Sequence, residues 1–136
     1  MIKRLAHVCI SAKDLDASAH FYTEVLGLQR AFEFRNADGI FGFYLEVGPG
    51  NYIEVFQREQ VDAPGNAPIQ HICLEVEDID EVARQLTRHG FEATEKKLGA
   101  DQSWQIWSTD PAGVRIEFHQ YTDDSSQRTG RDCVLG

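Results

Sequence analysis

Long apolar runs are what this sequence most lacks. Nowhere do 18 apolar residues stand together, and the opening MIKRLAHVCI holds too short an apolar stretch for the core of a secretory signal. The expectation is a chain with no membrane span and a cytoplasmic address. Positive charge is scarce as well: 13 Lys and Arg face 22 Asp and Glu, a formal charge of -9. Such a surface repels phosphate backbones and anionic lipid, so nucleic acid and membranes are not expected partners. Cys9, Cys73 and Cys133 are an odd number with no C-x-x-C spacing, which suits reduced thiols in a reducing compartment better than a disulfide framework. What remains is ordinary for a folding domain, with 42% apolar and 26% charged residues.

Residues 5–10 read as a strand, and Asp14 then offers a side-chain oxygen as an N-cap. A helix is expected from there to Gly27, with Leu15, Ala19, Tyr22 and Leu26 inward. Three strands follow in AFEFR, IFGFYLEV and NYIEVFQ, separated by the turn signals NADG and GPG. After the polar stretch REQVDAPGNAP the pattern restarts. Strand IQHICLEV leads to Asp78, then to a helix with Ile79, Val82 and Leu86 inward and Gly90 as its stop. Strands are expected again in EATEKKL, WQIWS and VRIEFHQY, with the turn TDPAG before the last. From Thr122 the polar composition predicts fraying.

The restart is a repeat. His7 and His71 stand 64 residues apart, and at that offset Cys9 meets Cys73 and Asp14 meets Asp78. Beyond the helix one residue is lost: at 63, Gly27 meets Gly90 and Glu54 meets Glu117. Self-similarity of this kind marks a duplicated supersecondary unit. It also doubles an anomaly, because Glu54 in YIEVF and Glu117 in RIEFH are carboxylates in strands whose other residues favour half-buried surfaces. A buried carboxylate needs a partner or a cation. Each His pairing with its own Glu, or both glutamates facing water, would explain either half alone. Two His and two Glu together suit a single Ni, Zn, Co or Mn ion with positions left for water or substrate.

The stretches HVCISAKDLDASAHFYTEVLGL, YIEVF, HICLEVEDID and DPAGVRIEF resemble the vicinal oxygen chelate superfamily, which holds glyoxalase I, bleomycin-resistance proteins and extradiol dioxygenases. The resemblance implies an α+β fold: two paired β-α-β-β-β modules forming a metal-binding cup. It implies a single glyoxalase-like domain over residues 1–121, with module one at 3–57, a linker at 58–68 and module two at 69–121, then a polar tail at 122–136. First and last strands of each module would be adjacent, bringing His7 to Glu54 and His71 to Glu117.

The ligand set His7, Glu54, His71 and Glu117 is most similar to that of glyoxalase I. That likeness implies a divalent-metal-dependent lyase or isomerase of lactoylglutathione lyase type. Its substrate would be a small α-oxygenated molecule, with a thiol such as glutathione as partner, and its assembly a homodimer. Proton transfer would pass through a metal-stabilised enediolate, with Glu117 ranked before Glu54 as the base. Ser11, Trp104 and Arg115 are the candidate substrate contacts. For His119 the cup and the surface are equally open, and for Trp104 and Trp107 packing against the helices is the more frequent fate of a large aromatic than walling a pocket. The alternatives are another metal-dependent member of the superfamily (an epimerase, thiol transferase or dioxygenase) and a metal-free binding protein of the bleomycin-resistance kind.

Overall fold

The computed structural model describes residues 1–61 and 67–135; the middle of the expected linker, 62–66, and Gly136 lie outside the described residues. The described chain divides into two compact units, one built on the first four strands together with Asp110–Gly113, the other on the remaining strands and the C-terminal segment.

In module one, β1 (His7–Ala12) leads to α1 (Leu15–Ala19), capped by Asp14, whose Oδ1 accepts from the Ala17 N–H at 3.0 Å. α1 continues as a π-helical segment, His20–Val25, and ends at Gly27 in the left-handed region. Strands β2 (Gln29–Asn36), β3 (Gly39–Gly48) and β4 (Asn51–Gln57) then form a sheet of order β1-β4-β3-β2, in which β1 and β4 are parallel. The helical face differs from the expected one. Leu15, Ser18, Phe21, Tyr22 and Val25 are buried, whereas Ala19 and Leu26 are only half-buried. The π turn widens the helix so that Phe21 and Tyr22, adjacent in sequence, both point inward.

Module two repeats the plan. β5 (Ile72–Glu75) is followed by α2 (Ile79–Arg88), whose cap Asp78 accepts from the Glu81 N–H at 3.0 Å. Then come β6 (Lys97–Leu98), β7 (Trp104–Thr109) and β8 (Arg115–Gln120), in the order β5-β8-β7-β6 with β5 and β8 parallel. Each module is therefore β-α-β-β-β with first and last strands side by side. Ile106, Ile116, Phe118, Ile79 and Leu86 close the core between sheet and helix.

The expected fraying from Thr122 is corrected by a dense set of polar ties. Ser125 is buried, Thr122 Oγ1 donates to the Gln102 carbonyl, and the Ser126 N–H donates to the Asp101 carbonyl at 2.8 Å. A short helix, α3 (Ser126–Thr129), follows, and Arg131 beyond it donates to the Asp124 carboxylate at 2.8 Å. Among the described residues no helix is long and apolar enough to cross a membrane.

Candidate metal-binding site

Strand pairing decides which side chains share a face. In module one His7 lies opposite Tyr52 and Cys9 opposite Glu54, and the two-residue alternation of a pleated strand puts His7, Cys9 and Ser11 on one side. Val8, Ile10 and Ala12 take the other, where Ile10, Ala12, Phe43, Leu45, Ile53 and Val55 form the core. The polar face carries the candidate residues. His7 Nε2 is 3.9 Å from Glu54 Oε1, with the imidazole 42% exposed and the carboxylate 14%. Tyr44, opposite Glu54 on β3, brings its hydroxyl to 3.2 Å from His7 Nδ1 and meets the imidazole edge-on. Burial, then the hydrogen bond and charge of Glu54, raise both the Tyr44 phenol and the Cys9 thiol above their ordinary pKa values.

Module two holds the equivalent pair closer. His71 Nε2 is 3.3 Å from Glu117 Oε2, and that carboxylate is 12% exposed. Trp107, opposite Glu117 on β7, takes the place of Tyr44 and meets the His71 ring edge-on with centroids 4.8 Å apart. Cys73 lies opposite Glu117, as Cys9 lies opposite Glu54. Although the residue is exposed overall, its thiol is pushed up to about 12 by burial, then by the Glu117 charge and hydrogen bond. His119 has no counterpart: its Nε2 is 2.8 Å from Glu117 Oε1, at the position Phe56 holds in the first module.

Among the described residues the ion partners of Glu54 and Glu117 are imidazoles, with no Lys or Arg in their place. Two mostly buried carboxylates without a fixed cation are costly unless one binds. Imidazole nitrogen and carboxylate oxygen are the donors that divalent first-row metals take, so the residues present fit such an ion.

Of the expected substrate contacts, Ser11 is half-buried on the His7 face. Arg115 shares the Glu117 face, its guanidinium lying 4.6 Å from the centre of the Trp107 ring. Trp104 is a correction. It pairs with Gln120 and shares strand parity with the buried Ile106 and Ser108, which places it on the face opposite Glu117, where Lys96 lies 5.1 Å over its ring. Trp107 lies on the donor face, against the His71 ring.

The reading of the sequence also missed a row of rings on the donor face of module one. Phe32 stacks on Tyr44 at 4.4 Å, and Phe34 lies 4.8 Å from Phe56. The signal was there in the alternating aromatics of AFEFR, which at period two fall on one face.

Residues 4–118 match the family model of the Glyoxalase/Bleomycin resistance protein/Dioxygenase superfamily. The uncharacterized protein YwbC of Bacillus subtilis (strain 168) is 34% identical over 84 residues, which span 58% of this chain and 65% of YwbC. The crystal structure of a glyoxalase family protein from Enterococcus faecalis matches with a TM-score of 0.72 at 27% identity, covering 87% of this chain and 98% of that one. A lactoylglutathione lyase from Agrobacterium tumefaciens shares the fold with a TM-score of 0.66 at 22% identity, covering 88% of this chain and 94% of its own.

Proposed function

The chain belongs to the Glyoxalase/Bleomycin resistance protein/Dioxygenase superfamily, and from that premise we propose that it is a divalent-metal-dependent lyase or isomerase of glyoxalase I type. The observation that carries the reading is the duplication of one constellation: a His beside a mostly buried Glu, with an aromatic ring against the imidazole, on the same face of each module's sheet. His7, Glu54, His71 and Glu117 would hold one Ni, Zn, Co or Mn ion. The assembly is a homodimer in this reading, and light scattering of the metal-loaded protein that shows monomer alone overturns that assembly. When bound, such an ion supplies Lewis-acid polarisation of adjacent oxygens on the substrate.

The remaining work falls to the chain. Glu117 takes the proton from the substrate carbon next to the carbonyl and returns it to the neighbouring carbon, so the C–H bond broken is balanced by the one formed and nothing is oxidised overall. A carboxylate 12% exposed between two imidazoles is held in place and away from bulk water where the proton is to be moved. Tyr44 fixes the His7 ring through its Nδ1, leaving Nε2 to face Glu54. Arg115, stacked on Trp107, anchors an anionic substrate group. The substrate class is a small α-oxygenated compound, with a thiol such as glutathione as co-substrate.

The test is ultraviolet detection of thioester formation from methylglyoxal and glutathione by Ni- or Co-loaded protein. Turnover is expected, and Glu117→Gln should remove it while some metal, more weakly held, stays bound. Loaded protein that forms no thioester, or a fully active variant, overturns the proposal.

A further inference from the structure

The two modules repeat one another in sequence, yet at one position of the donor face the first carries a ring where the second carries a further donor, and that difference defines a second place for a cation. Phe56 in module one corresponds to His119 in module two. His119 lies two residues beyond Glu117 on β8, so strand alternation returns it to the same face. Cys73 reaches that face from the neighbouring parallel strand, directly opposite Glu117. The Cys73 sulfur, a Glu117 oxygen and a His119 nitrogen all lie within 4.8 Å of one another. Donors around a tetrahedral zinc are about 3.4–3.6 Å apart, so modest side-chain rotation brings the three into coordination.

The His119 ring is poorly explained without a ligand. Its side chain is 12% exposed, and Nε2 is enclosed with no aligned hydrogen bond among the described residues, although Glu117 Oε1 is only 2.8 Å away. A buried imidazole nitrogen that has a carboxylate at contact distance but does not point a proton at it is arranged as two ligands of one ion are, both aimed at a third point. On the far side of the ring Asp101 Oδ2 lies 4.0 Å from Nδ1. With an ion on Nε2 the ring proton stands on Nδ1, the side this carboxylate faces.

We propose that module two carries a cation position of its own, formed by Cys73 Sγ, Glu117 and His119 Nε2, for a borderline-soft divalent ion such as zinc or cobalt. Thiolate and carboxylate together neutralise the ion's charge, imidazole completes a mixed S, O, N set, and three protein donors leave one position open. Cys9 and Glu54 offer only two such donors in module one, because Phe56 contributes none. The position shares Glu117 with the four-donor set proposed above but uses neither His7 nor Glu54, and it does not depend on glyoxalase chemistry.

Titration of the reduced full-length protein with Co(II), followed by absorption, tests this directly. A thiolate-to-cobalt charge-transfer band is expected. Cys73→Ser should abolish it, His119→Phe, which installs the residue of module one, should weaken binding at least about tenfold, and Cys9→Ser and His7→Ala should both keep it. Cys73→Ala gives the same answer if the serine variant does not fold. Absence of the band in the unmodified protein, its survival in Cys73→Ser or Cys73→Ala, or its loss in His7→Ala overturns the proposal. The thioester assay reads the glyoxalase reading separately, so failure of one is distinguishable from failure of the other.

Discussion

The Tyr22 hydroxyl donates to Asp110 Oδ2 at 2.7 Å, with both residues buried. Burial first, then the charge and hydrogen bond of Asp110, push the Tyr22 phenol well above its ordinary value of 10.0. The folded state thus keeps a proton that the unfolded chain releases near pH 10, so the stabilisation is complete below that pH and is lost as pH rises above it. Tyr22→Phe removes a donor from a buried carboxylate and is expected to cost about 1–3 kcal/mol at neutral pH. Urea melts of both proteins should also show the variant losing less further stability above about pH 10; equal alkaline losses would remove Tyr22 as the cause. Nothing in the sequence announces this bond, whose partners are 88 residues apart. His7, Glu54, His71 and Glu117 were legible because they recur at a fixed offset and because carboxylates are anomalous in apolar strands. Trp104 was misplaced because either tryptophan of WQIW suits a pocket until the phase of the strand is known, and pairing with β8 sets that phase.

Helix starts were legible for a local reason: Asp14 and Asp78 each accept from an N–H three residues on, a bond that depends on little outside the turn. The π segment at His20–Val25 was not, because its wider turn buries Phe21 and Tyr22 together, the latter held by Asp110 from a distant part of the chain. EATEKKL was expected as a full strand, yet only Lys97 and Leu98 join the ladder. The rest is tied to β7 irregularly, the Thr94 N–H donating to the Trp107 carbonyl and Ser108 Oγ to the Glu92 carbonyl. The sheet of module one sets a stricter local condition. A Cβ on Gly42 would stand 2.6 Å from Phe56 Cδ1 and 2.7 Å from the Val55 carbonyl oxygen. The ring can turn, but the carbonyl belongs to the paired strand β4 and cannot move without disturbing the ladder. Gly42→Ala is therefore expected to destabilise by about 1–3 kcal/mol and to pull Phe56 from Phe34. A thermal melt within error of the unmodified protein would contradict that packing.

For the whole molecule the consequence of duplication is energetic. In each sheet the buried apolar residues lie on the face opposite Glu54 or Glu117, so the carboxylates stand outside the apolar cores. Ligand that binds only the folded state stabilises it by mass action, about 2.7 kcal/mol at roughly one hundred times Kd. Adding Ni, Co or Zn to chelator-treated protein is thus expected to raise Tm by several degrees, and a chelator should reverse it. The two proposed cation positions divide this gain differently. Removing the module-one donors in a His7→Ala, Glu54→Gln variant leaves Cys73, Glu117 and His119 in place, so a reduced shift with Co or Zn should persist. Glu117→Gln touches both positions and should diminish the shift more than the double variant does. If the double variant shifts as fully as the unmodified protein, module one holds no metal, and the four-donor reading fails while the module-two position stands. If Glu117→Gln leaves the shift untouched, both fall together, because that carboxylate is the one group they share.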